Sequence, residues 1–166
     1  MQTDDLRALQ APLKSRYRDD PDSAHITLTA AGDLDEGIAC SVQTGQALVR
    51  AGLHPGTGGD GASACSGDML LQALVACAGV TMRSVATAMG IEVSGSIHAE
   101  GDLDWRGTLA VDKEVPVGFS AIRLRFELDS DASDDELATL QRLTERYCVV
   151  LQTLARSPEL SATLAR

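Results

Sequence analysis

The sequence predicts an α+β domain in which long helices pack on antiparallel sheet, and three observations carry that expectation. Short segments of two-residue period occur in two runs, within residues 25–51 and 91–129, instead of alternating singly with helices as a parallel sheet requires. Between the runs, residues 68–89 read MLLQALVACAGVTM at their heart, apolar on nearly every face and free of Pro. A helix of that kind is a buried one. After the second run, Ser133-Asp-Asp-Glu136 is a capping box ahead of leucines at helical spacing.

Each element follows in order. A first helix is expected over Asp4 to Tyr17, with Thr3 as N-cap and Leu6, Leu9 and Leu13 on one face, interrupted by Pro12. Three short strands are expected at His25–Ala30, Gly37–Val42 and Gln46–Ala51, joined by Gly-containing turns. HPGTGGDGASACSGD, residues 54–68, has no hydrophobic period and is a loop; it lacks the Lys and the spacing of a phosphate-binding motif. Ser66 is the expected cap of the central helix, Asp68 sits in its first turn, and Gly90 ends it. Three more strands, centred on Ile91–Ala99, Trp105–Val111 and Ile122–Leu128, alternate apolar and polar residues and suggest an antiparallel meander. The last long helix carries Leu137, Leu140, Leu143, Tyr147, Leu151 and Leu154 on one stripe, with Cys148 beside it, up to Pro158. Leu160 to Leu164 is expected to add a short strand.

With 166 residues, 44% of them apolar, the chain has material for one domain over 1–166, with residues 1–23 as an N-terminal helical arm. A net charge of −10 and the shortage of Lys and aromatics argue against a nucleic-acid or anionic-membrane surface. No signal-peptide pattern opens the chain, and no apolar run is expected to approach the roughly 20 residues of a membrane span, so a soluble, cytoplasmic protein is expected. A central helix apolar all round needs cover on both sides. A partner subunit is the expected cover.

Four cysteines, Cys40, Cys65, Cys77 and Cys148, are spread singly, with no C-x-x-C pair. By base rate a buried free Cys is a small apolar side chain, and Cys40, in phase with Ile38 and Val42, is read so. Cys65, near the start of the central helix, keeps an accessory role open because a helix dipole lowers a thiol pKa. His54, Asp60 and Cys65 match no metal-site spacing. Cys77 and Cys148 lie on different helices, and 71 positions of separation say nothing about whether they meet.

Taken together, Ser66-Gly-Asp-Met-Leu-Leu-Gln-Ala-Leu-Val-Ala-Cys-Ala-Gly-Val-Thr-Met-Arg83, Gly90-Ile-Glu-Val, Arg123-Leu-Arg-Phe-Glu and Glu145-Arg-Tyr-Cys-Val-Val resemble the OsmC/Ohr superfamily of osmotically induced and organic-hydroperoxide-resistance proteins, over residues 24–164. The resemblance implies an intertwined α+β homodimer of two three-stranded antiparallel segments around the central helix, with a site at each subunit interface and no cofactor. It also implies that Cys77 attacks an organic hydroperoxide, that Cys148 captures the sulfenic acid as a disulfide, and that a dithiol reductant resets the pair. Peroxidase members similar to this chain hold the thiolate with an N-terminal Arg, for which Arg16 and Arg18 are candidates, and with a Glu that would fall at Gly67. Asp68 follows one place later. Val149 stands where the family often has Pro. The competing expectation, favoured by Gly67, is a non-catalytic dimer that binds a small apolar ligand at its interface.

Overall fold

A computed structural model describes residues 2–20, 23, 32–34, 39–44 and 47–165, with the side chains of residues 9, 17, 18, 32–34, 39–44 and 47 outside that description. The strand expected at His25–Ala30 and the core placement of Cys40 therefore lie outside the described residues.

Helix α1 runs Thr3–Asp19 and continues through Pro12. Its start is one residue earlier than expected: Gln2 is the N-cap, its N–H donating to Asp5 Oδ2 at 3.2 Å. Thr3 instead donates through Oγ1 to the Thr87 carbonyl at 2.9 Å, which ties α1 to the end of the central helix, and Leu6 is buried.

Strands β1 (Gly32–Leu34), β2 (Ala39–Thr44) and β3 (Ala47–Gly52) form an antiparallel meander, joined in parallel by the two-residue β4 (Ala64–Cys65). The Gly-rich stretch between β3 and β4 is a loop with one 3-10 turn at Pro55–Thr57. Helix α2 then spans Ser66–Met89 with Cys65, not Ser66, as N-cap. Gly90 ends it with φ 73°, and the Ile91 N–H reaches back to the Ala86 carbonyl at 2.9 Å. Only glycine takes that left-handed conformation without steric cost.

The second sheet corrects the expected meander. β5 (Ser94–Leu103) pairs antiparallel with β6 (Phe119–Asp129), and among the described residues these are its two strands. Trp105–Thr108 is a short helix, α3. Asp104 accepts from the Arg106 N–H at 3.0 Å and from its guanidinium at 2.6 Å, and Arg106 also reaches Asp112. These local polar contacts close a helical turn where the Trp105, Gly107, Leu109, Val111 alternation suggested a strand. On the ribbon, Ile97 faces Phe126 and Ala99 faces Leu124 on the side toward α2, while Glu100 and Asp102 pair with Arg123 on the other.

The last long helix is in fact two. α4 spans Asp134–Tyr147, opened by Ser133 and Glu136 as the capping box requires, and α5 spans Val149–Ala155. Cys148 lies between them with φ −70° and ψ 106°. No strand forms at 160–164, where Leu160 and Leu164 are exposed.

Two apolar clusters hold these layers together. Met82, Ala86, Val93 and Leu140 form one; Leu74, Ala78 and Cys148 form the other, against Ile97, Ile122, Leu124 and Leu151. Leu74, Ala78, Met82 and Ala86, four residues apart, make the inner stripe of α2. Leu140 is fully buried, so Leu140→Ala is expected to cost about 2–5 kcal/mol of stability, read as a lower denaturant midpoint at unchanged slope.

The outer stripe is another matter. Leu70, Ala73, Ala76 and Val80 are exposed, Val80 by 73%. The expectation that no apolar run approaches a membrane span needs correction too: α2 has 24 residues and a mean hydropathy of 1.5 over its most apolar window, so it passes by length and composition. Its packing on α1, α4, α5 and β5 makes it the central helix of the fold.

Candidate redox site at the two helix cysteines

Cys77 lies halfway along α2, and its neighbours are set by where it falls on the helix. At 100° per residue, Leu74 of the inner stripe and Val80 of the outer stripe each lie about 60° from it, on opposite sides. Cys77 therefore sits at the border between core and open face, and it is partly exposed whereas Cys148 is fully buried. The α4–α5 break sets Cys148 against α2, where it packs in the cluster of Leu74 and Ala78 that Cys77 also touches. Both cysteines, like Cys65, are free thiols.

The two thiols lie in one packed cluster and act on each other, and their environments push them in opposite directions. Burial raises the Cys77 thiol, but the Val150 amide, the Cys148 thiol, the Val149 amide and the Thr81 hydroxyl all donate to it and together bring it below its ordinary value. For Cys148, burial comes first and raises the pKa; the amides of Leu151 and Val150 oppose this, while the Cys77 contact and charge add to it. A lowered thiol pKa means that the thiolate persists to lower pH, and the thiolate is the reactive form. Carbamidomethylation by iodoacetamide, mapped by peptide mass, is therefore expected to label Cys77 with a lower pH midpoint than Cys148.

Among the described residues, Asp68 is not brought to this pair. Asp68 precedes Cys77 by nine positions, which places it about half a turn round α2 and ~13.5 Å along it. It is exposed, and with Cys65, His54, Trp105 and Phe119 it lines a separate cavity of about 500 Å³ at the start of the helix. Arg16 is exposed on α1 and is not among the groups acting on Cys77; the Arg18 side chain lies outside the described residues. Gly67 is not a steric necessity, since a Cβ there would meet Phe119 and Cys65 at ordinary contact distances of 3.5 and 3.6 Å. His54 Nδ1 accepts from the Gly56 N–H at 2.9 Å, and among the described residues no three potential metal ligands cluster. The donors Thr81, Val149 and Val150 were missed. Thr81 had a signal, being four residues after Cys77 on the same helix face; main-chain amides leave none.

The family model for OsmC-like proteins matches residues 58–163, well over half of the chain. The chain belongs to the OsmC-like family. Solved structures agree on the fold of this OsmC-like protein. An OsmC-like protein from Mycoplasma pneumoniae superposes with a TM-score of 0.67 at 18% identity, over 80% of this chain and 89% of its own. An OsmC-like protein of unknown function from Vibrio cholerae gives 0.63 at 13%, over 78% and 94%. An organic hydroperoxide resistance protein OsmC from Legionella pneumophila gives 0.59 at 17%, over 81% and 92%. No curated protein matches the chain significantly.

Proposed function

We propose that this OsmC-like protein is a cytoplasmic thiol peroxidase that reduces organic hydroperoxides through Cys77 and Cys148. The observation that carries the reading is the asymmetry of the pair: within one packed cluster a partly exposed thiol lies beside a fully buried one, the first with its pKa lowered and the second with its pKa raised. That is the division of labour between a nucleophile and a resolving thiol. The Cys77 thiolate attacks the distal oxygen of ROOH, the O–O bond breaks, and the alkoxide takes a proton to leave as ROH. Cys77 is then a sulfenic acid. The Cys148 sulfur attacks Cys77 Sγ, a disulfide forms, and the hydroxyl leaves as water. A dithiol reductant restores both thiols and departs as its own disulfide. The neighbours Ile97, Ile122, Leu124 and Leu151 favour an apolar R group over the small polar hydrogen peroxide.

The same reading includes a homodimer. The exposed Leu70, Ala73, Ala76 and Val80 stripe supports it, as does the small fraction, 22%, of the most apolar α2 window that is buried within one chain. A two-stranded ribbon such as β5–β6 is also marginal without further packing. Because Cys77 borders that stripe, a partner there would wall the substrate path. Steady-state reduction of cumene hydroperoxide coupled to a dithiol tests the function. Turnover supports it, and the absence of any hydroperoxide consumption would favour the non-catalytic dimer that binds an apolar ligand, for which Gly67 speaks.

A further inference from the structure

Among the described residues Thr144 is the one fully buried polar side chain, and its Oγ1 has no hydrogen-bond partner there. A threonine inside a helix ordinarily returns its hydroxyl to the carbonyl four residues back, as Thr87 does to Arg83 at 2.7 Å and Thr153 to Val149 at 2.8 Å. Thr144 makes no such bond to Leu140. Its hydroxyl is left as an unused donor in an apolar layer, where an unmade bond is destabilising.

Leu140, Thr144 and Cys148 follow one another at four-residue steps on one face of α4, all without exposure. Leu140 clusters with Met82 and Ala86 of α2, and Cys148 with Leu74 and Ala78, so Thr144 meets α2 between the two clusters. The Cys148 N–H donates to the Thr144 carbonyl at 2.9 Å and its φ is −70°, so helical register holds up to the cysteine. Residues so related have Cβ atoms about 5–6 Å apart. A helical side chain leans toward the N-terminus, which sets the Cys148 sulfur over the turn that holds the Thr144 hydroxyl.

We propose that Thr144 is the hydrogen-bond donor that supports the Cys148 sulfur in the resolving step. This rests on the reading of Cys77 and Cys148 as a redox pair. When Cys148 attacks the sulfenic sulfur of Cys77, the S–S bond forms, the S–O bond breaks, and the Cys148 proton leaves with the hydroxide as water. Negative charge builds on the Cys148 sulfur as that proton departs, among side chains such as Leu74, Ala78 and Leu124 that cannot solvate it. A thiol is a weak acceptor, and in the reduced protein the hydroxyl stays unbonded; an anionic sulfur is a strong one. Thr144 keeps its own proton throughout.

The test is the lifetime of the Cys77 sulfenic acid in the full-length protein, mixed with one equivalent of cumene hydroperoxide, quenched at intervals in acid and read as a gain of one oxygen in intact mass. Thr144→Val keeps the shape and loses the hydroxyl, whereas Thr144→Ser keeps the hydroxyl and loses a buried methyl. T144V is expected to form the sulfenic acid at the parent rate but to hold it about tenfold longer, equivalent to about 1.4 kcal/mol, while unfolding in urea no earlier than the parent. T144S is expected to resolve at near the parent rate although it is the less stable variant. A merely structural role would make the lifetimes follow stability instead. An unchanged lifetime in T144V, or a T144S lifetime as long as that of T144V, would overturn the proposal. If the parent protein consumes no hydroperoxide, the peroxidase reading falls and the donor role is read with diamide, to which Cys77 adds across the N=N bond before Cys148 displaces the hydrazide. The T144V delay is then expected at that second step; equal rates, or no Cys77–Cys148 disulfide with either oxidant, would overturn the proposal.

Discussion

Cys77→Ser is expected to abolish consumption of an organic hydroperoxide by the reduced protein, whereas Cys148→Ser still reduces about one equivalent and stops. The difference follows from the order of the steps. Without Cys77 the pair has lost its partly exposed thiol of lowered pKa, and Cys148 is buried with its pKa raised; without Cys148 the first step proceeds and the sulfenic acid has no partner. A dimedone-type trap should label Cys77 in the Cys148→Ser protein. Serine at 148 also keeps a hydroxyl where the thiol donates to Cys77, so the first step is expected to remain fast. Equal loss of the first equivalent in both variants would contradict the assignment of roles.

Val80→Asp is expected to have the largest effect on assembly. Val80 is 73% exposed on the apolar outer stripe of α2, where a carboxylate costs one isolated chain almost nothing. Buried against a second copy it would be an unpaired charge, which costs several kcal/mol. The wild-type protein should sediment as a dimer at micromolar concentration and V80D as a monomer, folded or not, with loss of peroxidase turnover because the partner wall is gone. A wild-type protein that is monomeric and well folded under these conditions would contradict the dimer.

Much of this architecture was legible in the residues because the periods that encode it are strong. The apolar run of α2, the Ser133 to Glu136 capping box and the alternation in β5 and β6 all predict their elements to within a few positions. What failed did so where local contacts overrode a period. The leucine stripe of the last helix runs straight through Cys148, and Tyr-Cys-Val-Val contains no Gly or Pro to announce the break. Asp104 and Arg106 closed a helical turn in a segment whose apolar residues alternate like a strand. At the site, Cys77 and Cys148 were picked out through the family resemblance, but their contact depends on that unannounced break. Asp68 was named because it follows Gly67, where the resemblance places a Glu, but half a turn of helix separates its face from that of Cys77.

The most direct test of the redox pair is to treat the reduced protein with one equivalent of cumene hydroperoxide and follow its intact mass, thiol count and linked peptides. The account predicts loss of two hydrogens and two thiols, with a single cross-linked peptide joining Cys77 to Cys148. Four thiols still titratable, a stable gain of oxygen at Cys77, or a cross-link through Cys65 would contradict it.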